Sequence, residues 1–270
     1  MRRLLRPLDD IRDGAERFGR GAFDQPIPLR RRDELGDLAL RINTMAHDIQ
    51  GMLDAKRALL LALSHELRSP LTRARLNAEL LPATPECEAE RAALLRDLAE
   101  MRDLISDLLE SERLASPHAA LQREPVDLAA LVRDVVAEHP EGGRVALDIA
   151  AGLPMLALDR LRMRLLVRNL LENALRYGGD VPQPPRLALR AAEQGGIELE
   201  VRDFGPGVDA VQLERLTEPF YRTDSARQRA TGGVGLGMYL CRLVAEAHGG
   251  TLAVRNAQPG LAVSARLPGA

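Results

Sequence analysis

The sequence predicts a multidomain chain, helical in its first part and α/β in its second. Three observations carry this. Through residues 8–114 apolar side chains recur at alternating spacings of three and four, the period of helices packed along a seam. Apolar residues make up 46% of the chain but aromatics only 3%, with no Trp, so the core must be aliphatic, which suits helices and coiled coils. Beyond Ser116-Pro117 the pattern changes to short alternating runs interleaved with helical ones.

The first helix is expected over residues 8–18, where Leu8, Ile11, Ala15 and Phe18 form a seam. Gly19 and Gly21 end it, and Pro26 and Pro28 keep the connector extended. Asp33-Glu34-Leu35-Gly36 opens a second helix with the seam Leu38, Ile42, Met45, Ile49 and Met52. A connector of this length lets the two helices pack parallel. The next seam position falls on Lys56, a poor core residue, and the neighbouring Ala55, Leu59 and Leu60 imply a change of register. A signalling switch and a plain solvated junction explain that break equally well.

A helix through Leu59–Leu63 and His65 is expected to run to about Leu81, with Pro70 bending it. Pro82 and Pro85 make a turn, and Glu88 to Leu114 forms the return helix with Leu94, Leu98, Met101, Ile105 and Leu108 on one face. Two such arms enclose little core, so a second copy completing a four-helix bundle is the economical solution. Strands are expected at Val145–Ile149, Met155–Leu158, Arg186–Ala191, Ile197–Asp203, Thr251–Asn256 and Leu261–Leu267, and helices at Leu161–Tyr177 and Gly237–His248. In Ile197–Asp203 apolar and charged residues alternate, so one face of the sheet meets helices and the other meets water: a two-layer α/β sandwich.

Composition bounds the function. Charge is almost balanced, 37 basic residues against 39 acidic, which gives no electrostatic footprint for nucleic acid. Cys87 and Cys241 lie far apart and read as free thiols in a reducing compartment. No apolar run approaches the roughly 18 residues of a membrane span, and no signal peptide is visible. The basic start, Arg2, Arg3 and Arg6, fits the inner flank of a membrane helix or an ordinary basic terminus.

Four stretches carry candidate chemistry. In Ser64-His65-Glu66-Leu67-Arg68-Ser69-Pro70 a carboxylate adjoins an imidazole about 100° around the helix, so it reaches the ring only sideways, as an orienting or proton-accepting group. Asn169, Asn173, Arg176 and Tyr177 share one helix face; amide oxygens suit Mg²⁺ and a guanidinium suits phosphate. Asp203-Phe204-Gly205-Pro206-Gly207 follows a strand end, where the glycines permit close approach and the aspartate offers an acceptor to an exocyclic amine. Gly232-Gly233-Val234-Gly235-Leu236-Gly237 leads into a helix, and its N–H groups suit phosphates. A dinucleotide fingerprint would need a strand before that loop, but Arg222 to Thr231, with Arg222, Arg227 and Arg229, reads as a polar lid.

Together with Glu218-Pro219-Phe220-Tyr221, these stretches resemble, in order, the phosphoacceptor box and the four ATP-binding boxes of bacterial sensor histidine kinases, and residues 1–52 resemble a HAMP signal-relay domain. The resemblance divides the chain into 1–52, a dimerisation and phosphotransfer hairpin at 53–117, and an ATP-binding domain at 118–270. It implies an autophosphorylating protein-histidine kinase that uses ATP and Mg²⁺, with His65 as nucleophile and Glu66 holding the other imidazole proton. It further implies Mg²⁺ binding by Asn173 with Asn169 assisting, adenine reading by Asp203, and phosphate binding by Arg176 and the glycine loop. Tyr177, Gly205, Gly207, Phe220, Arg222, Gly233, Gly235 and Gly237 complete the implied nucleotide site. The implied partners are a second copy and a response regulator whose aspartate receives the phosphate. The parent is expected to be membrane-anchored, with this part on the cytoplasmic side.

Relatives of that family carry Thr or Asn four residues after the phosphoacceptor, where this chain has Ser69; the resemblance implies a phosphatase role for it, with a hydroxyl less restricted than threonine's. Related ATPases place glutamate where this chain has Asn169, which favours transfer to histidine over hydrolysis. A hydrolytic ATPase and a non-catalytic dimeric scaffold remain the competing readings.

Overall fold

The structure is a computed structural model. It describes residues 2–29, 33–81, 84, 87–114, 121–178, 181, 183–192, 195–223 and 235–269; at 2–6 and at 65 the backbone alone is described. The expected turn at Pro82 and Pro85, the boundary at Ser116-Pro117, and Arg227, Arg229, Gly232 and Gly233 lie outside the described residues. The chain divides into two compact units, Met1–Arg73 and Ala74–Ala270.

In the first unit α1 (Arg2–Gly19) is followed by an extended connector and by α2 (Glu34–Glu79). The buried face of α1 is Gly14 and Phe18 with Ile11 half-buried, so Gly14 replaces the expected Ala15, which is exposed. The connector explains the difference. Ile27, 1% exposed, lies so close to Gly14 that a Cβ there would sit 2.3 Å from Ile27 Cγ1. Phe18 and Phe23 stack with centroids 5.9 Å apart. From α2, Ala39 and Ala46 close this small core, and Asn43 fixes the connector on both sides of one residue: its Oδ1 accepts from Ile27 N–H at 2.8 Å and its Nδ2 donates to Ile27 C=O at 2.9 Å. That pairing satisfies a strand-like backbone with no strand beside it.

Of the expected second seam, Ile42 packs against this core and the rest does not. Leu38, Met45, Ile49 and Met52 are exposed, and the buried residues Ala39 and Ala46 are their neighbours on the helix. The long apolar side chains thus form an unburied stripe, while small residues receive the connector. The helix passes through Lys56 unbroken and continues through Pro70.

In the second unit α3 (Glu88–Leu114) has the bounds expected from its apolar period. Next come β1 (Arg123–Val126), α4 (Leu128–Glu138), β2 (Ala146–Ile149), β3 (Leu156–Asp159), α5 (Arg160–Tyr177), β4 (Arg186–Ala191) and β5 (Ile197–Arg202). After the one-turn α6 (Ala210–Leu213) the chain closes with α7 (Gly237–Ala247), β6 (Thr251–Asn256) and β7 (Leu261–Leu267). Five strands form one sheet in the order β2-β4-β5-β7-β6; β2 and β4 are parallel and the other pairs antiparallel. β1 and β3 form a separate antiparallel pair.

One face of the sheet supplies Leu187, Leu189, Ile197, Leu199 and Val201 to a core completed by α4, α5 and α7. The other face is charged: Arg266 pairs with Glu198 at 3.2 Å, Arg255 with Glu200 at 2.7 Å, and Arg186 and Arg190 both with Asp148. This is the expected two-layer sandwich. Three elements were missed, β1, α4 and the one-turn α6. Asp127 caps α4 by accepting from Ala130 N–H at 3.0 Å, and Asp159 caps α5 by accepting from Arg162 N–H at 3.2 Å. Each cap is worth about 1 kcal/mol.

Candidate functional site

The face of α5 that does not meet the sheet forms one wall of a cavity of about 490 Å³ in the second unit. Asn169, Asn173, Arg176 and Tyr177 line it, because spacings of four and three keep them on one side of the helix. Leu166, Leu170, Leu171 and Ala174 hold the opposite side in the core. Asn169 is buried, and its Nδ2 donates to Leu165 C=O at 3.0 Å. This turns its Oδ1 toward the start of α7, where a Cβ on Gly237 would come within 2.9 Å.

The second wall is the loop after β5. Asp203, 8% exposed, accepts from Gly205 N–H at 2.9 Å and Leu261 N–H at 3.1 Å through Oδ1, leaving Oδ2 for a ligand donor. Burial raises its pKa above the usual carboxylate value, while these two N–H groups and Arg202 pull the other way. Gly207 has φ 72°, and Asn256 clamps the next residue, accepting from Val208 N–H at 3.1 Å and donating to Val208 C=O at 2.7 Å. Gly205 does not line the cavity; a Cβ there would lie 2.2 Å from Tyr177 C=O, so it lets the loop close on the end of α5.

The third wall is Tyr221, Arg222 and Thr223 with Gly235, Leu236 and Gly237. Gly235 has φ 82°, and a Cβ would lie 2.6 Å from Tyr221 C=O. Phe220, expected at the nucleotide, does not line the cavity. Its backbone is left-handed, φ 63°, its N–H donates to Gly235 C=O at 3.0 Å, and its side chain is exposed. Its contribution is to hold the loop through its main chain. Gly233 lies outside the described residues.

Sequence reasoning missed the fourth wall. Arg96, Glu100, Asp103 and Asp107 of α3 face the same cavity. Their spacings of four, three and four were legible as one helix face, but a charged face reads as solvated. Asn256 was missed too, as one polar residue at a strand end.

Fit to a nucleotide and a hard cation can be tested on these residues. Gly235 and Gly237 line the cavity at a helix start, where side chains would collide with Tyr221 C=O and Asn169 Oδ1 and displace the loop, and two amides and a buried carboxylate supply oxygen donors. Mg²⁺ keeps several waters and asks for only one or two protein oxygens. The donor set fits both.

His65, Glu66 and Ser69 lie on α2 in the first unit. Glu66 is exposed, and Ser69 Oγ accepts from Arg73 Nη1 at 2.6 Å, a partner that the sequence reading did not foresee. Cys241 is buried, with its thiol pKa driven above the ordinary range by burial, and Cys87 is exposed. His248 is a buried structural group: its Nε2 accepts from Asp159 N–H at 3.0 Å, and burial lowers its pKa. Among the described residues no helix is long and apolar enough to cross a membrane.

Comparison with known proteins gives three family matches in chain order: HAMP domain over residues 1–51, His Kinase A (phospho-acceptor) domain over 55–117, and Histidine kinase-, DNA gyrase B-, and HSP90-like ATPase over 158–270. The signal transduction histidine-protein kinase BaeS of Escherichia coli is 32% identical over 282 residues, covering 99% of this chain and 58% of BaeS. The signal transduction histidine-protein kinase/phosphatase MprB of Mycolicibacterium paratuberculosis is 32% identical over 270 residues, covering 95% of this chain and 50% of MprB. The chain therefore spans between half and three-fifths of these relatives. Among solved structures, full-length ShkA in complex with AMPPNP superposes with TM-score 0.65 at 27% identity, covering 78% of this chain and 45% of ShkA. With its relay, phosphoacceptor and ATPase parts in that order, the chain belongs to the bacterial two-component sensor histidine kinases.

Proposed function

We propose that this chain is an ATP-dependent protein-histidine kinase that phosphorylates His65 and passes the phosphoryl group to an aspartate of a response regulator. The observation that carries the reading is the cavity of the second unit, where Asn169, Asn173, Asp203, Gly235 and Gly237 converge, in a chain whose α2 bears His65 beside Glu66. ShkA, which shares the fold, was solved with AMPPNP. In this reading Asp203 accepts from the adenine amine, Tyr177 flanks the base, and Arg176 with the N–H groups of the glycine loop holds phosphates. Asn173 and Asn169 are the amides that would hold Mg²⁺, which neutralises phosphate charge when bound.

Neutral His65 uses the lone pair of one ring nitrogen to form the N–P bond as the β–γ P–O bond breaks, and ADP leaves. Glu66 holds the proton on the other nitrogen, which fixes the tautomer of the neutral ring and places the lone pair on the attacking one. Asn169 bears on the alternative of hydrolysis, because an amide takes no proton from water. Ser69 stands one helical turn beyond His65, where its hydroxyl would orient a water that dephosphorylates the regulator; the relative MprB is described as a kinase/phosphatase. We also propose that the chain works as a homodimer through its helical hairpin. The parent is anchored by a membrane helix next to Arg2, Arg3 and Arg6, with this part on the cytoplasmic side.

The test is incubation with labelled ATP. His65→Gln is expected to abolish acid-labile, base-stable phosphoprotein while nucleotide binding persists. Label on another histidine in that variant, or ATP turnover with no phosphoprotein in the parent, would overturn the assignment.

A further inference from the structure

The turn between β6 and β7 packs on the loop that carries Asp203. Asn256 ends β6 and pairs in register with Leu261, the first residue of β7. From these two positions the hairpin grips the loop at both ends. Leu261 takes the Asp203 end: its C=O accepts from Asp203 N–H at 2.9 Å, and its N–H donates to Asp203 Oδ1 at 3.1 Å. Asn256 takes the other end, where its amide meets both main-chain groups of Val208, the N–H at 3.1 Å and the C=O at 2.7 Å. Gly207 and Val208 line the cavity together with Asp203.

The turn is itself well held, which makes it a fixed point. Ala257 N–H donates to Gly260 C=O at 2.8 Å. Arg202 Nη2 donates to Ala257 C=O at 2.8 Å, and Arg202 Cζ lies 4.7 Å from the centre of the Phe204 ring. Gly260 is buried, and a Cβ on it would sit 2.1 Å from Asp203 C=O, so the turn touches the main chain of the loop. The stretch it holds, residues 204–208, belongs to no helix or strand and contains two glycines, so it has little stiffness of its own. An amide that accepts one bond and donates the other satisfies Val208 as a neighbouring strand would.

We propose that Asn256 is a positioning residue for base recognition: by holding Val208 it fixes the Gly207–Val208 wall of the cavity, and so sets how strongly the cavity selects adenine. The proposal rests on the reading of the cavity as an ATP site. In that reading Asp203 Oδ2 accepts from the adenine amine, a bond that forms only when the base is held at one distance from the carboxylate. Val208, Val254, Leu261 and Val263 give the cavity an apolar lining beside Asp203, so contact with this lining places the base. A guanine presents a carbonyl where adenine has its amine, and a carboxylate repels it. Loosening the wall therefore costs adenine a bond that guanine never makes. Asn256 is exposed, so its replacement leaves the core whole.

The test uses the whole chain with Asn256→Ala and with Asn256→Leu, which keeps the bulk and loses both bonds. Titration with Mg²⁺ compares a non-hydrolysable ATP analogue with its guanine counterpart. Affinity for the adenine analogue is expected to fall on the order of tenfold in both variants, and affinity for the guanine analogue by less than about twofold. Hydrogen exchange at Val208 without nucleotide is expected to quicken, while exchange in β5 stays unchanged. Adenine affinity that stays at the parent level in either variant, an equal loss for both analogues, or unchanged exchange at Val208 would each overturn the proposal. A parent that binds neither analogue overturns the function reading and the base selection with it; the exchange arm still decides whether Asn256 holds the loop.

Discussion

At the residue scale the informative side chains are those whose polar atoms are spoken for on one side and free on the other. Asn173 lines the cavity half-buried on α5, so Asn173→Ala should lose Mg²⁺-dependent nucleotide binding with little change in stability. Titration calorimetry with and without Mg²⁺ checks this; normal phosphorylation in the variant would remove the metal role. Gly205 acts by having no side chain. Because a Cβ would meet the main-chain oxygen of Tyr177, Gly205→Ala should cost about 2 kcal/mol, measured by thermal unfolding. Gly143→Ala, with open space around it, is the control and should cost far less. Ser69 was expected to have a loosely held hydroxyl. With Arg73 donating to it, its orientation depends on a second side chain. Dephosphorylation of the cognate regulator should therefore slow several-fold in Arg73→Ala, an effect on the order of 1 kcal/mol. Autophosphorylation should hardly change, and equal slowing of both reactions would point to damage of α2.

At the scale of elements, α3 shows what the sequence could and could not reveal. Its bounds followed from Leu94, Leu98, Met101, Ile105 and Leu108, because a long repeat at one period leaves little choice. Its second face, Glu100 to Leu114, carries no apolar signal before its last residue, so its packing on the ATPase domain was invisible. α4 was missed for no such reason: Leu128, Leu131, Val132, Val135 and Val136 carry a helical period and Asp127 marks its start, a legible signal that was passed over. In α1 the expected Ile11 and Phe18 face the core with Gly14 in place of Ala15, and in α2 the expected Ile42 is joined there by Ala39 and Ala46. The connector side chain Ile27 chose Gly14 and Ala46, and small residues leave no mark in an apolar count. The cavity-lining row of α5 was legible as one face because a polar row beside apolar rows is an exception to ordinary helix patterning. A motif gives position along the chain and not the direction of a ring, so it did not foretell the exposed ring of Phe220.

The packing of α3 has a pH consequence. Burial raises the Asp107 carboxyl from 3.8 to about 6, with Arg168 opposing and Asp103 and Glu172 adding to the shift; the buried thiol of Cys241 stays protonated beside it. A carboxyl raised in the packed state retains a proton that free α3 would release. The stabilisation is complete below about 3.8 and is lost as pH rises through about 6. Protection of residues 99–110 from exchange, corrected for the intrinsic rate, should therefore fall across that window. Asp107→Asn should flatten the dependence; an unchanged profile in that variant would assign it to another group.

At the scale of the whole molecule, the exposed apolar stripe of α2 must be accounted for. Leu59, Leu63 and Leu67 are 60%, 47% and 46% exposed, and Met45 and Met52 continue the stripe toward the N-terminus. Burying a leucine is worth roughly 1.5–3 kcal/mol, and a repeat of this kind gains that several times over when it meets its own copy. Where two copies of α2 run parallel about the two-fold axis, each seam residue lies beside its own counterpart. Leu59→Glu therefore sets two carboxylates against each other where two leucines would pack. Sedimentation equilibrium is expected to show a dimer for the parent and a dimer dissociation constant raised at least ~100-fold in the variant, equivalent to about 2.7 kcal/mol. Nucleotide affinity should be retained, because every residue lining the cavity belongs to the second unit. A parent that sediments as a monomer at micromolar concentration would contradict the dimer, and a variant that loses nucleotide binding would mean that the cavity depends on the partner copy.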